Sequence, residues 1–228
     1  APSVAVKKPA NIPPMTSTLF DAIKKGDLAA VSAQLATDPS LANASADGMS
    51  AVTTATFYGK RAIAEALIGS GATLDIFDAT MTGRLERVRA LLRENPTLVN
   101  AISAQGHTVF GLAAFFGQPE VAGYLLEMGA DVHQRSANDM AVQPLHAAVA
   151  AGQGALARAL IARGADVNAR QQHGFTSLQG AAQNGDVGLI KLLLDHGADA
   201  SARNDLGKTA LDYARDAGHA LAARALGG

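Results

Sequence analysis

Six histidines, His107, His133, His146, His173, His196 and His219, are the first residues in this 228-residue chain that could move a proton or ligate a metal. Either task needs partners at fixed spacing: a second ligand one helical turn away, or a carboxylate beside the ring. These histidines fall singly, with no i,i+4 pair and no acidic cluster beside them. Ser, His and Asp all occur, but no segment has the strand-to-helix elbow that would present a serine nucleophile. The two glycines of "GQG" at 152–154 lack the Lys-Ser/Thr that a phosphate loop requires. Asn43 opens a glycosylation sequon, "NAS", of the kind that arises by chance. Arg84, Arg87, Arg89 and Arg93 surround Glu86 and Glu94, which is the pattern of a solvated helix face. A nucleic-acid surface would need a sustained basic stripe with stacking aromatics. No catalytic residue, metal ligand or cofactor is predicted.

Composition narrows the remaining classes. Lys+Arg 19 against Asp+Glu 20 leaves a formal charge of -1, so no bulk attraction to nucleic acid or an anionic membrane is expected. Apolar residues make up 48% and charged residues 17%, with much alanine, which fits a folded, helix-favouring chain. The lack of cysteine excludes disulfides and zinc–thiolate sites and fits a reducing cytoplasm. No apolar run reaches the ~20 residues of a spanning helix. The opening "APSVAVKKPANIPPMTST" is Pro-rich and has no secretory h-region. Two origins stay open for it. Met15 is a native start behind added residues, or Ala1 is a mature end behind a removed signal, which would make the protein periplasmic.

Self-comparison shows what must position any functional residue. Helix-ending glycines recur at Gly26, Gly59, Gly83, Gly117, Gly152, Gly185 and Gly218, at a period of about 33 residues with one short step between Gly59 and Gly83. Gly-Ala recurs at Gly71, Gly129, Gly164 and Gly197, followed by Asp in the last three. In "HGFTSLQGAAQNGDVGLIKLLLDHGADASAR", Thr176 can cap a helix whose inner face is Leu178, Ala181 and Ala182. After Gly185, a second helix carries Val187, Ile190, Leu192, Leu193 and Leu194 and ends at Gly197 in a left-handed cap. Such a pair cannot bury its own apolar face and must stack on neighbours.

The segments "QPLHAAVAAG" and "GFTSLQGAAQNG" resemble the ankyrin T-P-L-H-x-A-A pattern, and the resemblance covers about residues 17 to 226. Wording such as "LDIFDATMTGRLERVRALLRENPTLVNA" is similar to bacterial ankyrin proteins. The resemblance implies an all-α solenoid of about seven helix-turn-helix units with short β-hairpin fingers. It also implies hydrogen bonding between turns by His146. The expected units are about 17–46, 47–75, 76–104, 105–137, 138–171, 172–204 and 205–226, in one domain over 17–228. Residues 1–16 form a Pro-rich extension. The short step predicts a missing finger between units two and three, around residues 72–78, and "QRSANDMAVQP" predicts a longer finger in the fifth unit. Lys24 and Lys25 mark the first unit, and Arg215, Asp216, His219 and Arg224 the last, as water-facing end caps.

The chain has only 7 Phe, 3 Tyr and no Trp, yet two pairs of rings stand directly before helix-ending glycines: Phe57-Tyr58 and Phe115-Phe116. Met81 occupies the same column in the third unit. In the ankyrin family this end of the first helix faces the concave groove and commonly contacts partners. The core columns are already filled by Val52, Leu112, Leu145 and Leu178. The column after the finger glycine holds Met49, His107, Phe175 and Lys208, and the long finger adds Met140. Met49, Phe57, Tyr58, Met81, His107, Phe115, Phe116, Met140 and Phe175 are therefore the expected partner-binding residues, across the second to sixth units. The competing reading packs one ring of each pair between helices. The expected function is a non-enzymatic, monomeric protein-binding scaffold in the cytoplasm, with no nucleic-acid or membrane partner and an unknown protein partner. The alternative is an inhibitor or protective accessory protein of one enzyme. Because "KKPANIPP" favours extended backbone and has no repeat partner, deleting residues 1–14 should leave the melting temperature nearly unchanged. A thermal melt showing a drop of many degrees would make the segment part of the core.

Overall fold

The computed structural model describes residues 14–228, with side chains from Ser17 onward, so the expectation for the extension lies largely outside the described residues. Among these residues, helices follow one another in packed pairs: α1 (Pro14–Lys25) with α2 (Leu28–Thr37), and α3 (Ala51–Phe57) with α4 (Arg61–Gly69). Then come α5 (Ile76–Met81) with α6 (Leu85–Glu94), α7 (Val109–Phe115) with α8 (Pro119–Glu127), and α9 (Pro144–Ala150) with α10 (Gly154–Ala162). The last are α11 (Ser177–Gln183) with α12 (Val187–Asp195), and α13 (Ala210–Asp216) with α14 (Ala220–Ala225). The chain divides into two compact units, Ala1–Leu74 and Asp75–Gly228, where the spacing led us to expect one continuous domain. The division coincides with the short step. Residues 72–75 run without a hairpin into α5, as the missing finger predicts.

In the first unit α1 packs on α3 and α2 on α4. Its finger is a two-stranded hairpin, β1 (Ser45–Ala46) and β2 (Met49–Ser50), turned by Asp47 and Gly48, both at positive φ as a tight hairpin turn requires. In the second unit the first helices form one row, α5 on α7 on α9 on α11 on α13, and α12 packs on both α10 and α14 behind it. Val52, Leu112, Leu145 and Leu178 are buried, as expected. In α12 the buried stripe is Leu189, Ile190 and Leu193, one face at helical period. Leu189 belongs to it, while Leu192 and Leu194 are half-exposed at its edges.

Side-chain caps start most first helices. Ser50, Asp75, Thr108, Thr176 and Thr209 each accept the N–H three residues on. Glycine is needed at the helix ends for two reasons, as Gly83 and Gly185 show. Each has φ of 70°, and each lies under a side chain of the next pair. Gln118 covers Gly83 and donates to the Met81 carbonyl at 2.8 Å. His219 covers Gly185, with Nε2 at 3.1 Å from the Gln183 carbonyl.

Polar ladders join adjacent pairs within the second unit. Asn100 and Asn168 accept from the Asp131 and Asp199 N–H groups, each at 2.9 Å. The fingers are joined through backbone: Ala137 N–H to Gly106 O at 2.7 Å, Gln172 N–H to Met140 O at 2.9 Å, and Asp205 N–H to His173 O at 2.9 Å. The long finger closes with Ser136 N–H to Val142 O at 2.8 Å. Gln143 does not cap α9. Its amide donates to His133 O at 3.1 Å and ties down the base of that finger.

His146 follows on α9, 4% exposed, with Nε2 at 3.0 Å from the Ala169 carbonyl, which is the hydrogen bond between turns that the resemblance implies. Burial lowers its pKa to about 4, against the pull of that carbonyl. The unfolded ring, with pKa near 6.5, therefore takes up protons first on acidification, and stability falls as pH drops from about 6.5 toward 4. Urea unfolding should lose up to ~3 kcal/mol across that window through His146, and His146→Gln should flatten the slope. An unchanged slope in the variant would assign the pH dependence to other groups.

Candidate protein-binding face

The rings at the end of α7 take different environments because consecutive helical residues point about 100° apart. Phe116, the C-cap, is half-buried, while Phe115 is 54% exposed. The two rings meet edge-on, 5.3 Å between centroids at 83°. Phe116 is thus the anchored ring and Phe115 the presented one. At the end of α3 in the first unit, Phe57 and Tyr58 are 38% and 49% exposed. The competing reading, one ring packed and one exposed, describes Phe115-Phe116. At Phe57-Tyr58 both rings reach solvent.

Met81 is a correction. It stands in the same column as Phe57 and Phe115 but is only 2% exposed, so it cannot meet a partner. An unbranched thioether adapts to core gaps that a ring would not fit, and here it is taken inside. Met49 is half-buried in the hairpin, paired with Ala46. His107 is half-buried, its backbone N–H donating to Ser103 Oγ at 3.2 Å, and burial lowers its ring pKa.

Met140 and Phe175 come together on the finger side of the second unit. Met140 is 52% exposed, and with Phe175, Leu206 and Tyr213 it lines a pocket of about 500 Å³. Phe175 is half-buried and meets Tyr213 edge-on at 5.3 Å and 84°. Tyr213 is itself held: its hydroxyl accepts from Asn204 at 2.8 Å, and Lys208 Nζ lies 5.6 Å from its ring and 2.7 Å from Asp216. Tyr213 and the exposed Leu206 and Ile102 were missed from sequence. Leu206 had a usable signal, since it stands directly before finger Gly207, two columns from the column of Met49, His107, Phe175 and Lys208. Met49, Phe57 and Tyr58 belong to the first unit and the remaining residues to the second.

The solvated face expected of the arginines holds for Arg93, which is exposed, whereas Arg87 and Arg89 on α6, and Arg84 at its N-cap, are half-buried. Arg89 pairs with Glu86 at 3.1 Å and lies 5.2 Å over the Tyr124 ring. Among the described residues no group of three or more His, Asp or Glu could hold a metal, and no helix is long and apolar enough to cross a membrane.

Comparison with known proteins agrees with this architecture. A family model described as ankyrin repeats in three copies matches residues 145–227, and one for a single ankyrin repeat matches 105–137. The rat protein "Ankyrin repeat and SAM domain-containing protein 6" is 40% identical over 104 residues, 46% of this chain and 12% of that protein. Alpha-latroinsectotoxin-Lt1a of the spider Latrodectus tredecimguttatus is 32% identical over 108 residues, 47% of this chain and 7% of the toxin. Mouse protein phosphatase 1 regulatory subunit 27 is 33% identical over 97 residues, 42% of this chain and 62% of that subunit. The matches thus span less than two thirds of each relative's own length. Ankyrin repeats generally mediate protein–protein interaction, and the proteins built from them are typically non-catalytic. With its glycine-ended helix pairs, its finger ladder and these matches, the chain belongs to the ankyrin-repeat family.

Proposed function

We propose that this protein is a non-enzymatic scaffold that binds a partner protein on the face made by the ends of its first helices and its fingers. The observation that carries it is Phe115, 54% exposed on the edge of the half-buried Phe116 ring. A large apolar side chain held rigidly at the surface loses little entropy on binding, the property of an interface hot spot. Met140, Phe175 and the pocket beside Tyr213 extend the apolar surface of the second unit. Phe57 and Tyr58 supply an equivalent pair in the first. A stable partner would bury roughly 1,200–2,000 Å² in total.

A second reading, that the partner is an enzyme regulated or protected by this chain, draws support from the likeness to a phosphatase regulatory subunit. The face is the same in both.

Affinity capture from native lysate, followed by mass spectrometry, would identify the partner. Phe115→Ala should then weaken its binding by about 2 kcal/mol or more, while urea unfolding loses about 1 kcal/mol or less, chiefly the edge contact to Phe116. A core ring would show the reverse, about 3–5 kcal/mol lost from folding. Undiminished capture by both Phe115→Ala and Met140→Ala would rule this face out.

A further inference from the structure

Asn184 and Gly185 form an Asn-Gly pair at the end of α11. Of all asparagine dipeptides this one loses its side-chain amide most readily, because the glycine has no side chain to hinder attack by its own nitrogen. In that reaction the Gly185 nitrogen attacks Asn184 Cγ and gives up its proton to water, and ammonia leaves from Cγ. The five-membered imide so formed takes up water at either carbonyl and opens to aspartate or isoaspartate. One water is consumed and one ammonia released, with no change of oxidation state.

The fold holds both reacting groups away from the geometry this needs. Ring closure requires the asparagine Cβ and the next nitrogen on the same side of the Cα–C bond, at a ψ outside the allowed regions of an L residue. Asn184 sits at φ −81°, ψ −10°, in the right-handed helical region. The attacking nitrogen is engaged, since Gly185 N–H donates to the Ala182 carbonyl at 3.1 Å. The leaving amide is engaged as well: Asn184 Nδ2 donates to the Val149 carbonyl of α9 at 2.9 Å. From the other side His219 lies over Gly185, where a Cβ would stand 2.8 Å from the ring Cγ, and its Nε2 is 3.1 Å from the Gln183 carbonyl. Asn184 is itself exposed, so its protection is geometric and owes nothing to exclusion of water.

We propose that Asn184-Gly185 is a gated deamidation site, closed while the fifth, sixth and seventh helix pairs are stacked and reactive once they part at this turn. The bond to Val149 ties the turn to the pair before it, and His219 ties it to the pair after it. With both in place the turn cannot rotate about ψ. The product does not fit back. An aspartate carboxylate has no donor for the Val149 carbonyl, and isoaspartate adds a methylene to the main chain beside the Gly185 turn, whose φ is 70°. An opening that is reversible before the reaction is therefore made permanent by it. The new negative charge falls in the column of Tyr58 and Phe116, directly before the helix-ending glycine.

The test follows the amide-to-acid mass change by mass spectrometry in the full chain held at neutral pH, read in the tryptic fragment 171–191 that ends at Lys191. The N-acetylated synthetic 171–191 peptide supplies the unclamped rate. In the folded chain conversion should be at least about 100-fold slower, since only the locally opened fraction reacts. Urea too dilute to unfold the chain should raise the rate as that fraction grows. His219→Ala should raise it about five- to ten-fold, with helical circular dichroism unchanged. A folded chain that reacts at the peptide rate would overturn the proposal, as would a rate indifferent both to dilute urea and to His219→Ala. If His219→Ala does not fold, the urea series on the unaltered chain decides alone. Asn184→Asp, which supplies one product directly, should unfold at lower urea than the unaltered chain. An unchanged midpoint would overturn the claim that the product does not fit back.

Discussion

Helices of six to twelve residues are marginal in water, and two of them cannot cover their own apolar stripe, so each pair holds only because another is stacked against it. This dependence explains the small residues of the inner rows. Ala113, Ala148 and Ala181 are almost fully buried, and side chains of that size let one first helix approach the next. It also explains why Gly26, Gly83, Gly117 and Gly185 follow first helices in left-handed conformation: a side chain of the following pair lies over each of them.

Stacking apolar faces alone would leave neighbouring pairs free to slide, because hydrophobic contact is non-directional. Direction comes from the polar ladders. Asn100 and Asn168 each reach the Asp N–H of the next turn, and the finger backbones bond to one another. These bonds are individually modest, of the order of 1 kcal/mol, but each has one geometry. Where the long finger alters the spacing, Gln143 leaves the capping role and bonds the finger base instead. His146 fills out the same region from inside, bonded to one carbonyl and buried enough to stay neutral.

Because the core columns are complete, apolar residues elsewhere are not required for folding. That surplus gives Phe115 and Met140 their interest, and it is why an exposed ring here carries more information than a buried one.

The sequence by itself determined the repeat, the positions of the helix ends, the missing and lengthened fingers, and the Thr176 cap. Each rests on local backbone preference or on a pattern recurring at about 33 residues, and both can be read from residue type and spacing. Tertiary structure alone decided that Met81 is inside while Phe115, in the same column, is outside. It alone set Tyr213 edge-on against Phe175, made Leu189 core, and divided the chain at Leu74. The physical reason is that exposure at a helix end is set by whatever packs over it from another repeat, tens of residues away. The column assigns a position within its own repeat, and the size and shape of the covering neighbour decide whether that position meets water.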